Sequence, residues 1–181
     1  VPKTSDITVD TIEARGGLVI GKSNTPEFGA GANTFNEVFG KTLNPWNTAL
    51  TCAGSSGGAA VALATGEVWL ATGSDLGGSL RTPAGFCSVV GLRPSPGRVA
   101  RGPKAMCFDT LSVDGPMGRD VRDTALLLDA MGGADARDPL SIPSPALSFQ
   151  AAIEKARPPK RVAFSADLGI VPVERETREI C

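Results

Sequence analysis

Two serines lie in separate glycine-rich turns on either side of one helix-length segment. Ser55 belongs to the run AGSSGG and Ser79 to the run GSDLGGSLR. A backbone that turns sharply and comes close to a substrate needs positive φ values and no Cβ in the way, which glycine provides. A serine hydroxyl becomes a nucleophile once a neighbouring base takes its proton. We therefore regard Ser55 and Ser79 as the candidate catalytic residues.

The chain has no histidine, so these residues alone cannot perform Ser/His/Asp or Cys/His catalysis. Its cysteines lie far apart and form no CxxC pair: Cys52, Cys87, Cys107 and Cys181. This spacing indicates neither a zinc site nor a disulfide framework, and it is typical of a reducing cytoplasm. We expect no metal, no cofactor and a cytoplasmic location.

Charge and hydropathy exclude two classes of partner. The 181 residues include 18 basic and 19 acidic side chains, scattered without a basic run that would bind a line of phosphates. No apolar run approaches the roughly 20 residues that a membrane helix needs, and the N-terminus lacks the pattern of a secretory signal. We expect no direct contact with nucleic acid and no membrane association.

Several elements must position the serines. Upstream, 5–15 is typical of an amphipathic helix closed by Gly16 and Gly17, 18–21 of a short buried strand, and 44–46 of a loop. After the first turn, AAVALAT predicts a helix whose N-terminal amides point back at Ser55 and Ser56. We expect a strand over 67–72, a buried apolar stretch over 86–93 and a loop-rich segment over 95–117.

The remaining pattern is clearest between positions 120 and 133. Asp120 is a suitable N-cap, an apolar side follows, and Gly132 with Gly133 ends the helix. The apolar side consists of Val121, Leu126, Leu127, Leu128 and Met131. We expect a surface crossing over 135–159, a strand over 161–164 and the beginning of a helix over 173–181. Strands that alternate with helices indicate an α/β fold, and both ends have the pattern of a segment cut from a longer chain.

Two further motifs have alternative interpretations. The run GGLVIGKS at 16–23 fits the phosphate-binding loop formula, but a helical pattern precedes it and its middle residues favour a strand. We reject that interpretation. The run GSSGG at 54–58 fits a nucleophile elbow with Ser56 as nucleophile. A helix follows it, but TALTCA before it makes a poor strand, so we favour the interpretation below.

The ordered motifs AGSSGG, GSDLGGSLRTPA and FCSVVGLRP resemble the amidase signature family of serine hydrolases, whose motifs read GGSSGG, GTDxGGSxRxPA and FCGxxGxKP. The segments GKSNTPEF, NPW and DGPMGRDV also resemble that family, so the resemblance runs from Gly16 to about Gly133. Four residues replace the usual glycine, threonine, glycine and lysine: Ala53, Ser74, Ser88 and Arg93.

The resemblance implies a mixed β-sheet core covered by helices on both faces, of which 1–181 is a single partial domain. It implies that Ser79 is the nucleophile and that Ser55, held by a cis peptide bond, relays a proton to a lysine. The backbone amides of Leu76, Gly77, Gly78 and Ser79 would form the oxyanion hole. Three residues would support the site: Ser56, Asp75 and Arg81, the last two as an ion pair that shapes the turn.

The lysine base of the family lies upstream of these motifs. Lys22 corresponds to a different lysine, which is not the base, so we assign it a structural role near a strand end. We therefore expect the base outside residues 1–181 and the isolated segment to be inactive. A lysine base must be neutral, which requires burial that lowers its pKa.

The resemblance implies that the whole protein is an amidase that acts on a small-molecule carboxylic amide, and we leave a homodimer open. The alternative is an amidotransferase subunit, which acts on a mischarged tRNA held by partner subunits. The sequence does not identify the amide.

Overall fold

The computed structural model describes residues 3–102 and 106–180. The helices of this part are α1 (Ile7–Ala14), α2 (Gly57–Ala64), α3 (Arg81–Cys87), α4 (Val121–Met131), α5 (Phe149–Glu154) and α6 (Arg175–Ile180). The strands are β1 (Phe35–Asn36), β2 (Gly40–Lys41), β3 (Leu70–Asp75), β4 (Val90–Gly91) and β5 (Val113–Gly118). The expected α/β architecture is confirmed.

The central sheet has the order β3-β5-β4, and both pairings are antiparallel. Leu70 pairs with Gly118 at one end of the β3-β5 ladder, and Asp75 pairs with Val113 at the other. Strands β1 and β2 form a separate two-residue pairing. The register places Asp75, the last residue of β3, beside the first residue of β5, where the second serine turn begins.

Helices cover both faces of the central sheet. Met117 of β5 packs with α2 and α3 in a core cluster on one face: Cys52, Ala59, Ala60, Leu63, Leu80, Ala84 and Cys87. On the other face, Leu127, Leu128 and Met131 of α4 pack with Val99, and Leu70 of β3 packs against them. A side chain at Gly118 would collide with Thr124 of α4, so the helix lies close against the strand. The predicted arrangement with helices on both faces is confirmed.

Helix α4 forms where the sequence predicts it. The Asp120 side chain accepts a hydrogen bond from the Asp123 amide at 2.8 Å, which satisfies a free N–H of the first turn. Leu127, Leu128 and Met131 are buried as expected, whereas Val121 and Leu126 are exposed. The helices predicted around α1, α2 and α6 are also confirmed, although Cys181 lies outside the described residues.

Two predicted strands are wrong. The segments 18–21 and 161–164 form no strand and are exposed. Neither segment finds a ladder partner among the described residues, and a short apolar run is not a strand without one. Because 18–21 is not a strand, the position assigned to Lys22 near a strand end is wrong as well, and Lys22 is exposed.

Three elements are not predicted from the sequence, and two boundaries of a predicted strand move. Helix α3 follows the second serine turn, most of β5 lies in the segment expected to be loop-rich, and α5 lies within the expected surface crossing. The strand expected over 67–72 begins at Leu70 and runs on to Asp75. The stretch 86–93 contains the end of α3 and all of β4, and Phe86 and Leu92 in it are exposed rather than buried.

The loop around 44–46 holds the C-terminal end of α3. The Asn44 side chain donates to the Phe86 carbonyl at 2.8 Å, and the Trp46 indole donates to the Cys87 carbonyl at 2.9 Å. Side-chain donors thus satisfy carbonyls that the end of a helix leaves free. None of the helices in the described ranges has the length and apolar character that a membrane span requires.

Candidate active site

The first serine turn is held by a hydrogen bond from Thr34. The peptide bond between Gly54 and Ser55 is cis, as the resemblance implies, and Ser55 is buried. Ala53, just before it, has a left-handed φ of 61°. The buried Thr34 hydroxyl donates to the Ala53 carbonyl at 2.8 Å. Thr34 therefore fixes the peptide plane that leads into Gly54 and Ser55.

The glycines after Ser56 allow close packing at the start of α2. A Cβ on Gly57 would collide with the side chains of Thr34 and Cys52. A Cβ on Gly58 would collide with the backbone of Asn24. The segment before the first turn therefore packs directly on the N-terminal end of α2.

Ser56 joins the two serine turns. Its backbone amide donates to the Ser79 carbonyl at 3.3 Å. Its hydroxyl accepts from the Ser74 amide at 3.3 Å and lies 3.4 Å from the Ser74 carbonyl. Gly73 of the same strand leaves room for the Ser56 side chain, because a Cβ there would lie 2.5 Å from the Ser56 hydroxyl. Because the Ser56 hydroxyl is hydrogen-bonded to the backbone of β3, a supporting role for Ser56 is favoured over the nucleophile-elbow interpretation.

The second turn is organised by the carboxylate of Asp75. Asp75 is completely buried, and its Oδ1 accepts from the Gly78 amide at 2.8 Å while its Oδ2 accepts from the Leu80 amide at 3.1 Å. These two amides flank Ser79 in sequence. The carboxylate therefore holds the chain on both sides of the half-buried Ser79.

Two guanidinium groups neutralise Asp75. Arg81 binds both carboxylate oxygens at 3.0 Å, which confirms the ion pair expected from the sequence. Arg93 donates from Nη1 to the Asp75 carbonyl oxygen and, at 3.2 Å, to Oδ1. Burial alone would raise the pKa of Asp75, but the hydrogen bonds from Arg81, Gly78 and Leu80 and the charge of Arg81 hold that pKa well below its ordinary value.

The four amides expected to form an oxyanion hole differ in their availability. The Gly78 amide is bonded to Asp75, so it is not a free donor. The amides of Leu76, Gly77 and Ser79 have no acceptor among the hydrogen bonds of the described residues. Leu76 and Gly77 are also exposed, whereas Gly78 is buried. Three neighbouring donors therefore remain at the turn, each able to stabilise negative charge.

The roles of Thr34 and Arg93 are not predicted from the sequence. Thr34 is one of many threonines, and no local pattern marks its contact with Ala53. Arg93 stands out in the sequence only as a replacement for lysine, and its bonds to Asp75 depend on the pairing of β5 with β3 and β4. Within 3–102 and 106–180, no group of three or more His, Cys, Asp or Glu residues could hold a metal ion.

Known proteins are similar to this chain over most of its length. A family model described as Amidase matches residues 1–181. An acylamidase of Rhodococcus erythropolis is 42% identical over 175 residues, which are 97% of this chain and 37% of that protein. A glutamyl-tRNA(Gln) amidotransferase subunit of Rubrobacter xylanophilus is 43% identical over 164 residues, which are 90% of this chain and 34% of that subunit.

A solved structure has the same fold. The crystal structure of a bacterial aryl acylamidase belonging to the amidase signature (AS) enzymes family superposes with a TM-score of 0.89 at 33% sequence identity. The match covers 98% of this chain and 36% of that one. The chain therefore spans about a third of the length of these relatives.

Proposed function

The chain belongs to the Amidase family, and from that premise we propose that the full-length protein hydrolyses a carboxylic amide through an acyl-serine intermediate on Ser79. The observation that carries this proposal is the junction of the two turns. Ser56 bonds to Ser79, and Asp75 holds both sides of Ser79, while three nearby amides have no acceptor in the part of the chain that the structure describes.

In the proposed reaction, Ser79 Oγ attacks the carbonyl carbon and its proton passes through Ser55 to a lysine. The amides of Leu76, Gly77 and Ser79 donate hydrogen bonds to the negative charge that develops on the former carbonyl oxygen. The C–N bond then breaks, the amine leaves with the proton, and water hydrolyses the acyl ester to release the acid. The residues of the reaction need no metal and no cofactor.

The lysine is proposed to lie outside residues 1–181. Lys22 is exposed, whereas a lysine that accepts a proton near neutral pH must be desolvated. We therefore propose that the segment 1–181 alone is inactive and that the experiments require the full-length protein.

The test uses a fluorophosphonate probe and an anilide substrate, which the similarity to acylamidases suggests. Ser79→Ala is expected to abolish both covalent labelling and hydrolysis, whereas Ser55→Ala leaves slow residual reaction. Ser165→Ala is the matched control, since this exposed serine belongs to neither serine turn and is far from both in sequence. Full labelling of the Ser79→Ala protein would overturn the assignment of the nucleophile.

A second candidate function is that of one component of an amidotransferase, favoured by the 43% identity to a glutamyl-tRNA(Gln) amidotransferase subunit. In that case Ser79 would release ammonia from an amide for transfer within a complex. Affinity purification of the tagged full-length protein separates the two functions. Amide hydrolysis by the protein alone supports the amidase, whereas copurified subunits that are required for turnover support the amidotransferase.

A further inference from the structure

Arg93 spans the end of the central sheet. It follows β4, where the Leu92 amide donates to the Pro116 carbonyl of β5 at 3.1 Å. Its Nη2 donates to the Leu111 carbonyl, just before β5, at 2.8 Å. Its Nη1 reaches Asp75 at the end of β3. One guanidinium therefore links all three strands at the point where the second serine turn leaves the sheet.

The bond to the Asp75 carbonyl fixes the orientation of the next amide. The peptide between Asp75 and Leu76 is trans, so its C=O and N–H point in opposite directions. Because Arg93 Nη1 holds the Asp75 carbonyl oxygen, the Leu76 N–H points away from Arg93. That N–H is one of the three donors at the turn without an acceptor among the described residues.

The same guanidinium also stabilises the carboxylate that holds Gly78 and Leu80. Arg93 Nη1 lies 3.2 Å from Asp75 Oδ1, which also accepts from the Gly78 amide. Arg81 contacts the carboxylate alone and its side chain is 55% exposed, whereas the Arg93 side chain is 25% exposed. Arg93 is thus the more buried partner and the one that binds both the backbone and the side chain of Asp75.

We propose that Arg93 is a positioning residue of the acylation step, which orients the Leu76 amide as an oxyanion donor by holding the Asp75 carbonyl. The inference rests on the proposed function, because it requires a reaction at Ser79. Arg93 acts through Asp75 and the peptide plane after it. It need not touch the substrate.

The experiment measures fluorophosphonate labelling of the full-length protein, which does not depend on knowing the substrate. Labelling forms a bond between Ser79 Oγ and phosphorus, breaks the P–F bond and releases fluoride, while the serine proton goes to the base. The phosphoryl oxygen then needs the same amide donors as a tetrahedral intermediate. The limiting rate and the half-saturating probe concentration are measured separately for each variant.

Three variants isolate the role of Arg93. Arg93→Met removes its donors, and Arg93→Lys keeps a cation that can donate to both the carbonyl and the carboxylate of Asp75. Arg101→Met is the matched control: Arg101 is 22% exposed, pairs with Asp114 at 3.0 Å and donates to the Ser112 carbonyl at 2.6 Å. Like Arg93→Met, this variant loses an ion pair and a bond to a backbone carbonyl, but neither partner of Arg101 belongs to the second serine turn.

We expect Arg93→Met to lower the limiting rate by about tenfold to a hundredfold at an unchanged half-saturating concentration, because loss of one oxyanion donor typically slows reactions by on the order of a hundredfold or more. Arg93→Lys should stay within about threefold of the wild type, because its ammonium supplies the same two bonds. Arg101→Met should lower the melting temperature but label at the wild-type rate.

A wild-type limiting rate in folded Arg93→Met would overturn the inference, even if that variant melts at a lower temperature. If Arg93→Met does not fold, Arg93→Ala takes its place, because alanine also lacks a donor for the Asp75 carbonyl, and the limiting rate and melting temperature are compared in the same way. A wild-type protein that is not labelled at Ser79 would instead overturn the proposed function.

Discussion

The backbone amide of Ser56 donates a hydrogen bond of 3.3 Å to the backbone carbonyl of Ser79. This contact joins two turns that are far apart in sequence. It involves no side-chain atom, so substitution of either serine by alanine leaves its donor and acceptor in place. Side-chain variants at these positions therefore test chemistry without removing the contact that brings the turns together.

Ser56→Ala separates the supporting role of Ser56 from that of a nucleophile. The variant loses the bonds between the Ser56 hydroxyl and the Ser74 backbone, and we expect a loss of about 1 kcal/mol in unfolding free energy. Fluorophosphonate labelling of Ser79 should persist, as peptide mapping would show. Complete loss of labelling in a folded Ser56→Ala protein would favour the nucleophile-elbow interpretation instead.

Two positions where related motifs have glycine adopt left-handed backbone conformations. Ala53 has φ 61° and Ser88 has φ 59°, and a residue with a Cβ is less stable there than glycine by roughly 1 kcal/mol. We expect Ala53→Gly and Ser88→Gly each to raise the unfolding free energy by up to about 1 kcal/mol, measured by urea denaturation.

The control for these variants is Ala62→Gly in the interior of α2. Glycine in a helix interior is less favourable than alanine by about 1 kcal/mol, so this variant should be less stable than the wild type. If Ser88→Gly, at an exposed position, were destabilising to the same extent, the left-handed strain at position 88 would be contradicted.

Asp75 makes stability depend on pH in the acid range. Its pKa is lowered in the folded protein by the bonds from Arg81, Gly78 and Leu80, although burial opposes this. The stability that this lowered pKa contributes is therefore present above the unfolded pKa of about 3.9 and is lost as the pH falls through the folded pKa. Asp75→Asn should show a flatter decline of unfolding free energy below about pH 4, because it has no carboxylate to protonate.

At neutral pH, Asp75→Asn is expected to cost about 3 kcal/mol, because it leaves the partly buried Arg93 without its counter-ion. Asp135→Asn is the comparison, since Asp135 also pairs with an arginine but lies at a more exposed position. Its cost at neutral pH should be smaller. Equal costs for the two variants would contradict the importance of the buried carboxylate.

Two buried thiols should be unreactive in the native protein. Burial raises the pKa of Cys52, and burial together with the neighbouring Cys52 raises the pKa of Cys87 to about 11. Because the thiolate is the reactive form, we expect alkylation of both by iodoacetamide at pH 8 to be slower than in urea by more than about a hundredfold. Peptide mapping after quenching measures this, and rapid native labelling of Cys87 would contradict it.

The elements that sequence patterns predicted correctly carry their own local signals. Helix α4 has an aspartate cap and an apolar side, and α2 has a run of small helix formers after two glycines. The serine turns were recognisable because glycine, serine and aspartate determine turn geometry locally. The ion pair of Asp75 with Arg81 could be expected for the same reason, since both residues belong to one turn.

The elements that were missed depend on contacts that are distant in sequence. Strand β5 contains Gly115 and Pro116, which favour a turn, yet it pairs with β3 along its whole length. Pro116 is tolerated because the bond at this position of the ladder uses its carbonyl, which accepts from the Leu92 amide at 3.1 Å, and needs no proline N–H. The apolar runs at 18–21 and 161–164 have the local pattern of strands but form none, because a local pattern does not supply a pairing strand.

The second serine turn should open as a unit, because the carboxylate of Asp75 binds several of its groups at once. Asp75 binds the amides of Gly78 and Leu80 and both guanidiniums. A fluctuation that displaces this carboxylate frees both amides at once, so we expect their native-state hydrogen exchange to show similar protection and a similar response to denaturant. A substrate that rigidifies this turn would then slow exchange at both positions together.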